Sequence, residues 1–142
     1  MKKNILALDL GKGSLGLAIS RSGQFVSPLT NIRFHHSDYD EAVSLLLKEI
    51  KDEKIEHIVI GYPLYPSGDP CEMTNIVEQF ILKIAPLFQG IDIIKVDERY
   101  STLEASNIML NNNKSAKKQK KNIDSAAAMV ILERHLKDIN QY

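Results

Sequence analysis

Apolar positions along the chain follow two periods, and the alternation between them outlines the elements. Ile5 to Leu10 and Leu15 to Ser20 are short apolar runs joined by the turn Gly11-Lys12-Gly13-Ser14. They predict a β-hairpin whose first strand ends near Asp9. A third run, Phe25 to Phe34, follows the Ser22-Gly23 turn; Pro28 lacks the N–H that an inner ladder needs, so this strand is predicted at a sheet edge or a bulge. From Tyr39 the apolar positions Ala42, Val43, Leu46, Leu47 and Ile50 repeat with helical spacing, and Ser37 or Asp38 can cap the start. His57 to Ile60 reads as a strand ended by Gly61. Ile76, Val77, Phe80, Ile81 and Ile84 then return to the helical period up to Pro86, and Ile91 to Val96 reads as a buried strand. Ser101-Thr102-Leu103-Glu104 has the capping-box pattern of a helix reaching Leu110, and a last helix is predicted from Ile123 to Lys137. A meander of three strands followed by alternating helices and strands implies an α/β domain with a mixed sheet covered by helices.

Composition agrees with one globular domain over residues 1–142: 44% of residues are apolar and 25% charged, and the chain is long enough to bury a core. Eighteen basic and 18 acidic side chains cancel, so any affinity for nucleic acid must come from local clustering. One such cluster exists. Asn111 to Asn122 holds Lys114, Lys117, Lys118, Lys120 and Lys121 without an acid, which reads either as a phosphate-binding arm or as a solvated linker, mobile without ligand. The single cysteine, Cys71, cannot form an internal disulfide, and no zinc-type spacing is present. Asp9, Gly11 and Gly13 interrupt the N-terminal apolar run, so neither a signal peptide nor a membrane span is predicted, and a cytoplasmic protein is expected.

The candidate chemistry lies at the ends of elements. Asp9 ends a strand predicted to be central, Asp97-Glu98 follows another strand, and Asp124 lies in the first turn of the last predicted helix, ahead of the small residues Ser125, Ala126, Ala127 and Ala128, which let that end approach the sheet. Singly, each acid has a plain explanation: a turn-forming aspartate, an ion pair with Arg99, or a helix-dipole partner. Together, three carboxylates repel unless a cation neutralises them, and hard oxygen ligands select magnesium or manganese. One or two such ions serve phosphodiester displacement. The loop Gly61-Tyr62-Pro63-Leu64-Tyr65 lies at the same sheet edge, where its tyrosines either stack on bases or pack as structure.

Asp9-Leu10-Gly11 with Gly16 and Ala18, the Gly61-Tyr62-Pro63-Leu64 loop, Asp97-Glu98-Arg99-Tyr100-Ser101-Thr102-Leu103-Glu104-Ala105 and Ile123-Asp124-Ser125-Ala126-Ala127 resemble the YqgF family, in order and across the chain. Its members are described as Holliday junction resolvases or as nucleases that mature the precursor of small-subunit ribosomal RNA. The resemblance implies a ribonuclease H-like fold related to the RuvC resolvases. It also implies an acidic triad of Asp9, Glu98 and Asp124, with Glu98 favoured over Asp97, binding one or two Mg2+ or Mn2+ ions. Lys12, Tyr62, Tyr65, Arg99, Lys117, Lys118, Lys120 and Lys121 are the substrate-binding candidates. The expected partner is structured RNA or branched DNA, with no membrane, for a monomer or a homodimer. The sequence departs from the family at Ser14, where a basic residue is common, and at Tyr65, where asparagine is. Two rival readings stand beside this one: a non-catalytic ribosome-assembly or nucleic-acid-binding factor, and a nucleotide-binding phosphotransferase related to actin.

Overall fold

The structure is a computed structural model that describes residues 4–97 and 126–139 in full and residues 116–125 by their backbone. Strands β1 (Ile5–Leu10), β2 (Ser14–Ser20) and β3 (Ser27–Arg33) form the opening meander. Helix α1 (Tyr39–Glu49), β4 (His57–Tyr62), α2 (Glu72–Ile84), a short 3-10 turn (Ala85–Leu87) and β5 (Asp92–Asp97) follow, and α3 (Ala116–Ile139) is the last described helix. The sheet order is β3-β2-β1-β4-β5. β1 pairs antiparallel with β2 but parallel with β4, and β4 is parallel to β5, so the sheet is mixed and β1 is central.

Alternation along β1 divides the core in two. Leu6, Leu8 and Leu10 pack with Ala42 and Leu46 of α1 and Val77, Phe80 and Ile84 of α2. Ile5 and Ala7 face the other way, against Ala128, Ile131, Leu132 and Leu136 of α3. Helices therefore cover both faces, as the sequence predicts. Asp38 is the cap of α1, accepting from the Glu41 N–H at 3.1 Å, while Ser37 takes a positive φ of 63° ahead of it. An edge-on row of rings, Phe34, Tyr39 and Phe80, with centroids 5.7 and 6.5 Å apart, seats α1 and α2 on that face.

Four expectations are sharpened or corrected. Pro28 lies both on an edge strand and beside a bulge: Leu17 pairs with Thr30 and Ala18 with Pro28, leaving Leu29 as the extra residue of β3. β4 continues through Gly61 to Tyr62, because Gly61 keeps its place in the ladder opposite Val96. β5, expected as a buried strand, is the other edge; with one neighbour only, it leaves Asp92, Lys95 and Asp97 partly or fully exposed. Finally, α3 begins at Ala116 rather than Ile123, so Ala116–Asn122 is helical where a linker or arm is expected, and residues 111–115 of that segment lie outside the described residues. Alanine, lysine and glutamine are strong helix formers, and like-charge spacing on a solvated helix costs only tenths of a kcal/mol. The predicted helix from Ser101 to Leu110 lies outside the described residues. Among the described residues, no helix is long and apolar enough to cross a membrane.

Candidate active site

Because β1, β4 and β5 are parallel, their carboxyl ends meet at one edge of the sheet. Asp9 is one residue from the end of β1, and it shares the alternation of Ile5 and Ala7, so its half-buried carboxylate is on the α3 face. The backbone beyond it is fixed by three hydrogen bonds: Gly11 N–H donates to Ser14 O at 2.8 Å, Phe34 N–H to Gly13 O at 3.1 Å and Ser37 N–H to Lys12 O at 2.7 Å.

On either side of Asp9 stand glycines. Gly16 of β2 pairs with it directly, and Leu8 pairs with Ile60, so that the next step along the parallel ladder puts Gly61 beside Asp9. Val59 belongs to the α3 face and Ile58 and Ile60 to the other, which assigns Gly61 to the same face as Asp9. No side chain from the intervening strand therefore stands between Asp9 and β5 at this level. Sequence alone presents Gly61 as a strand terminator; the signal that could have identified its role is its position directly after a run of β residues that needs one more rung to match β1.

The alternation of β5 separates its acids. Ile94 and Val96 pack on the α3 side, while Ile93 packs on the α2 side. Lys95, on the α2 side, pairs with Glu78 of α2 at 2.6 Å and lies 5.1 Å over the Tyr62 ring. Asp97 follows the period of Ile93 and Lys95, opposite to Asp9, and its carbonyl accepts from the Arg134 guanidinium of α3 at 2.8 Å. Glu98 and Arg99 lie outside the described residues, and Asp124 is placed by its backbone within α3, one turn before the buried Ala128. Among the described residues, no three acids, histidines or cysteines converge on one point.

The two loop tyrosines differ in setting. Tyr62 packs against the α1–α2 core, and its hydrogen bond to Glu78 holds its hydroxyl above the usual phenol range. Tyr65 is 55% exposed at the tip of a tight loop in which Tyr65 N–H donates to Asp69 O at 2.9 Å. Lys12 reaches from the first turn to Glu72, the first residue of α2, with Nζ 2.6 Å from the carboxylate. Each partner stabilises the charged form of the other, so Lys12 titrates above and Glu72 below the ordinary range. Lys117, Lys118, Lys120 and Lys121 all fall within the first turns of α3.

Comparison with known proteins converges on one family. A family model described as RuvX, Holliday junction resolvase, matches residues 3–138. The chain is 38% identical over 141 residues to a protein of Mesoplasma florum, covering 97% of this chain and 99% of that one. It is 39% identical over 139 residues to one of Mycoplasma capricolum, covering 96% of each. Both carry the name "Putative pre-16S rRNA nuclease". Among solved structures, RuvC of T. thermophilus in complex with a Holliday junction substrate superposes with a TM-score of 0.61 over 96% of this chain and 95% of that one, at 11% identity. The mixed five-stranded sheet with its helices is thus a ribonuclease H-like fold.

Proposed function

The chain belongs to the RuvX family and is a nuclease, and on that premise we propose that it hydrolyses phosphodiesters of precursor 16S ribosomal RNA with divalent metal ions held by Asp9, Glu98 and Asp124. The observation that carries the reading is the position of Asp9: at the end of the central strand, on the face covered by α3, with a glycine on each side. β1 and β5 are two strands apart, roughly 10 Å at ordinary sheet spacing. An aspartate and a glutamate reaching inward from the two strands, with an ion between them, would span that gap. Period-two alternation supports Glu98 over Asp97, because Asp97 takes the face opposite to Asp9, and a strand continued by one more residue would return to the face of Asp9. Helical period supports Asp124, which precedes Ala128 and Ile131 of the sheet-facing stripe by four and seven residues. Hard carboxylate oxygens suit Mg2+ or Mn2+, which when bound lower the pKa of an attacking water and offset charge on the leaving oxygen. The chain's own part is to fix the carboxylates, to bind phosphate through Lys12 and the α3 lysines, and to offer Tyr65 as a stacking platform.

The test is cleavage of precursor 16S RNA carrying its 5′ leader, and of a synthetic four-way DNA junction, with Mg2+, with Mn2+ and with EDTA. Removal of the leader in either metal and none in EDTA is expected. Cleavage that persists in EDTA would end the metal assignment. The family description favours a second reading, junction resolution, which two active sites facing a symmetric substrate would serve. Cutting of the junction alone, by a dimer in solution, would select it.

The α3 lysines give a separate expectation. Replacing Lys117, Lys118, Lys120 and Lys121 with alanine should weaken RNA binding and flatten its salt dependence, by roughly 0.7 to 0.9 log units for each phosphate that the lysines neutralise. An unchanged slope, measured by fluorescence anisotropy between low and moderate salt, would remove them from the interface.

A further inference from the structure

We propose that the Lys12–Glu72 ion pair is an exchangeable contact in which Glu72 occupies the place of a substrate phosphate, so that Glu72 sets how tightly the site holds nucleic acid. This inference rests on the proposed nuclease function, because it needs phosphate to arrive at the Asp9 edge. Both ends of the pair stand on fixed backbone. Lys12 lies in the turn after Asp9, where its carbonyl accepts from Ser37 N–H at 2.7 Å and its two neighbours are bonded to Ser14 and Phe34. Glu72 opens α2, and the start of that helix is tied to the end of β4: Cys71 N–H donates to Thr74 Oγ1 at 2.8 Å, and the buried Thr74 hydroxyl donates to Pro63 O.

The side chains between those anchors are in water. Lys12 is 41% exposed and Glu72 73% exposed, so their 2.6 Å contact is held by an attraction that solvent largely screens. An exposed lysine is fully protonated at neutral pH with or without an acidic partner, so Lys12 offers a whole positive charge when a phosphodiester comes within reach. A phosphate oxygen offers the lysine the same kind of acceptor as the Glu72 carboxylate, together with contacts to other groups at the edge, and the lysine can change partners without any movement of its backbone. The carboxylate then faces the incoming polyanion as a like charge, which counts against binding. Glu72 is not part of the α2 cap, which Cys71 and Thr74 form, so Glu72→Gln leaves that junction intact.

The experiment measures anisotropy of a labelled RNA hairpin and a labelled four-way DNA junction in EDTA, at 50 and 200 mM salt, for the full chain, Glu72→Gln, Lys12→Ala and the double variant. Glu72→Gln is expected to tighten binding by about two- to five-fold at low salt, the reach of a solvent-exposed ion pair, and to have a clearly smaller effect in the Lys12→Ala background, where only the removal of a like charge remains. Lys12→Ala alone should weaken binding and reduce the salt slope by about one phosphate contact. Equal tightening with and without Lys12 would overturn the proposal, since it would reflect only the removal of a negative charge. Unchanged affinity of Glu72→Gln, with the wild type binding normally, would overturn it and leave the nuclease function in place. Failure of the wild type to bind either probe would overturn both.

Discussion

Asp9→Asn is expected to lower metal-dependent cleavage by about 100-fold or more, with a melting temperature close to that of the wild type. Asparagine keeps the size and polarity of the side chain, so the half-buried position at the end of β1 still suits it, but it removes one charge and one hard oxygen from the proposed ligand set. Structural and catalytic roles give opposite patterns. A turn-forming aspartate would show its absence in thermal melting, while a metal ligand shows it in turnover. Initial rates at several Mg2+ concentrations, followed with melting in parallel, separate them. Equal cleavage by the two proteins would withdraw Asp9 from the reaction and favour a non-catalytic nucleic-acid-binding factor.

Gly61→Val should also abolish most of the activity, by at least about ten-fold, and through space rather than charge. Gly61 does not have a positive φ, so its backbone accepts a β-branched residue, and valine is favoured in strands. What valine adds is a side chain on the α3 face, between Asp9 and the strand that leads to Glu98. If the carboxylates share ions across that gap, the isopropyl group occupies the place of metal and water. The comparison is with Gly61→Ala, which adds one methyl group and should fall between the wild type and Gly61→Val. A Gly61→Val protein that melts cooperatively and cleaves at the wild-type rate would show that nothing essential crosses β4 at this level. Circular dichroism of both variants guards against mistaking a damaged fold for a damaged site.

Period is the part of the sequence that translates most directly into structure. The hairpin around Gly11 to Ser14, the Asp38-capped helix and the edge character of the Pro28 strand all follow from local chemistry: turn residues, a side-chain acceptor and a missing N–H. Burial is harder to read. Ile91 to Val96 reads as a buried strand from its four aliphatic residues, yet it forms an edge with Asp92 and Lys95 exposed, because exposure depends on how many neighbours the topology supplies. The start of α3 is obscured for a related reason. Five lysines suggest a solvated linker, whereas alanine, glutamine and lysine in sequence also favour a helix, and the charges alone do not decide between them. At the candidate site, Asp9 can be singled out as a candidate from its place before a glycine turn. The role of Gly61 is fainter, carried only by its place one rung beyond a run of β residues, since it arises from a parallel pairing between residues about fifty positions apart. Glu72 has no sequence signal either: its partner Lys12 is distant along the chain and is brought to it only by the packing of α2 against the sheet.

The irregular edge at β3 bears on how the protein behaves when crowded. A strand from another molecule laid along β3 would need an unbroken row of backbone donors and acceptors, and Pro28 offers no N–H while the Leu29 bulge puts the remaining groups out of step. Extension of the sheet from one copy into the next is therefore opposed at that side by the covalent backbone itself, a safeguard against aggregation that neither salt nor pH can titrate away.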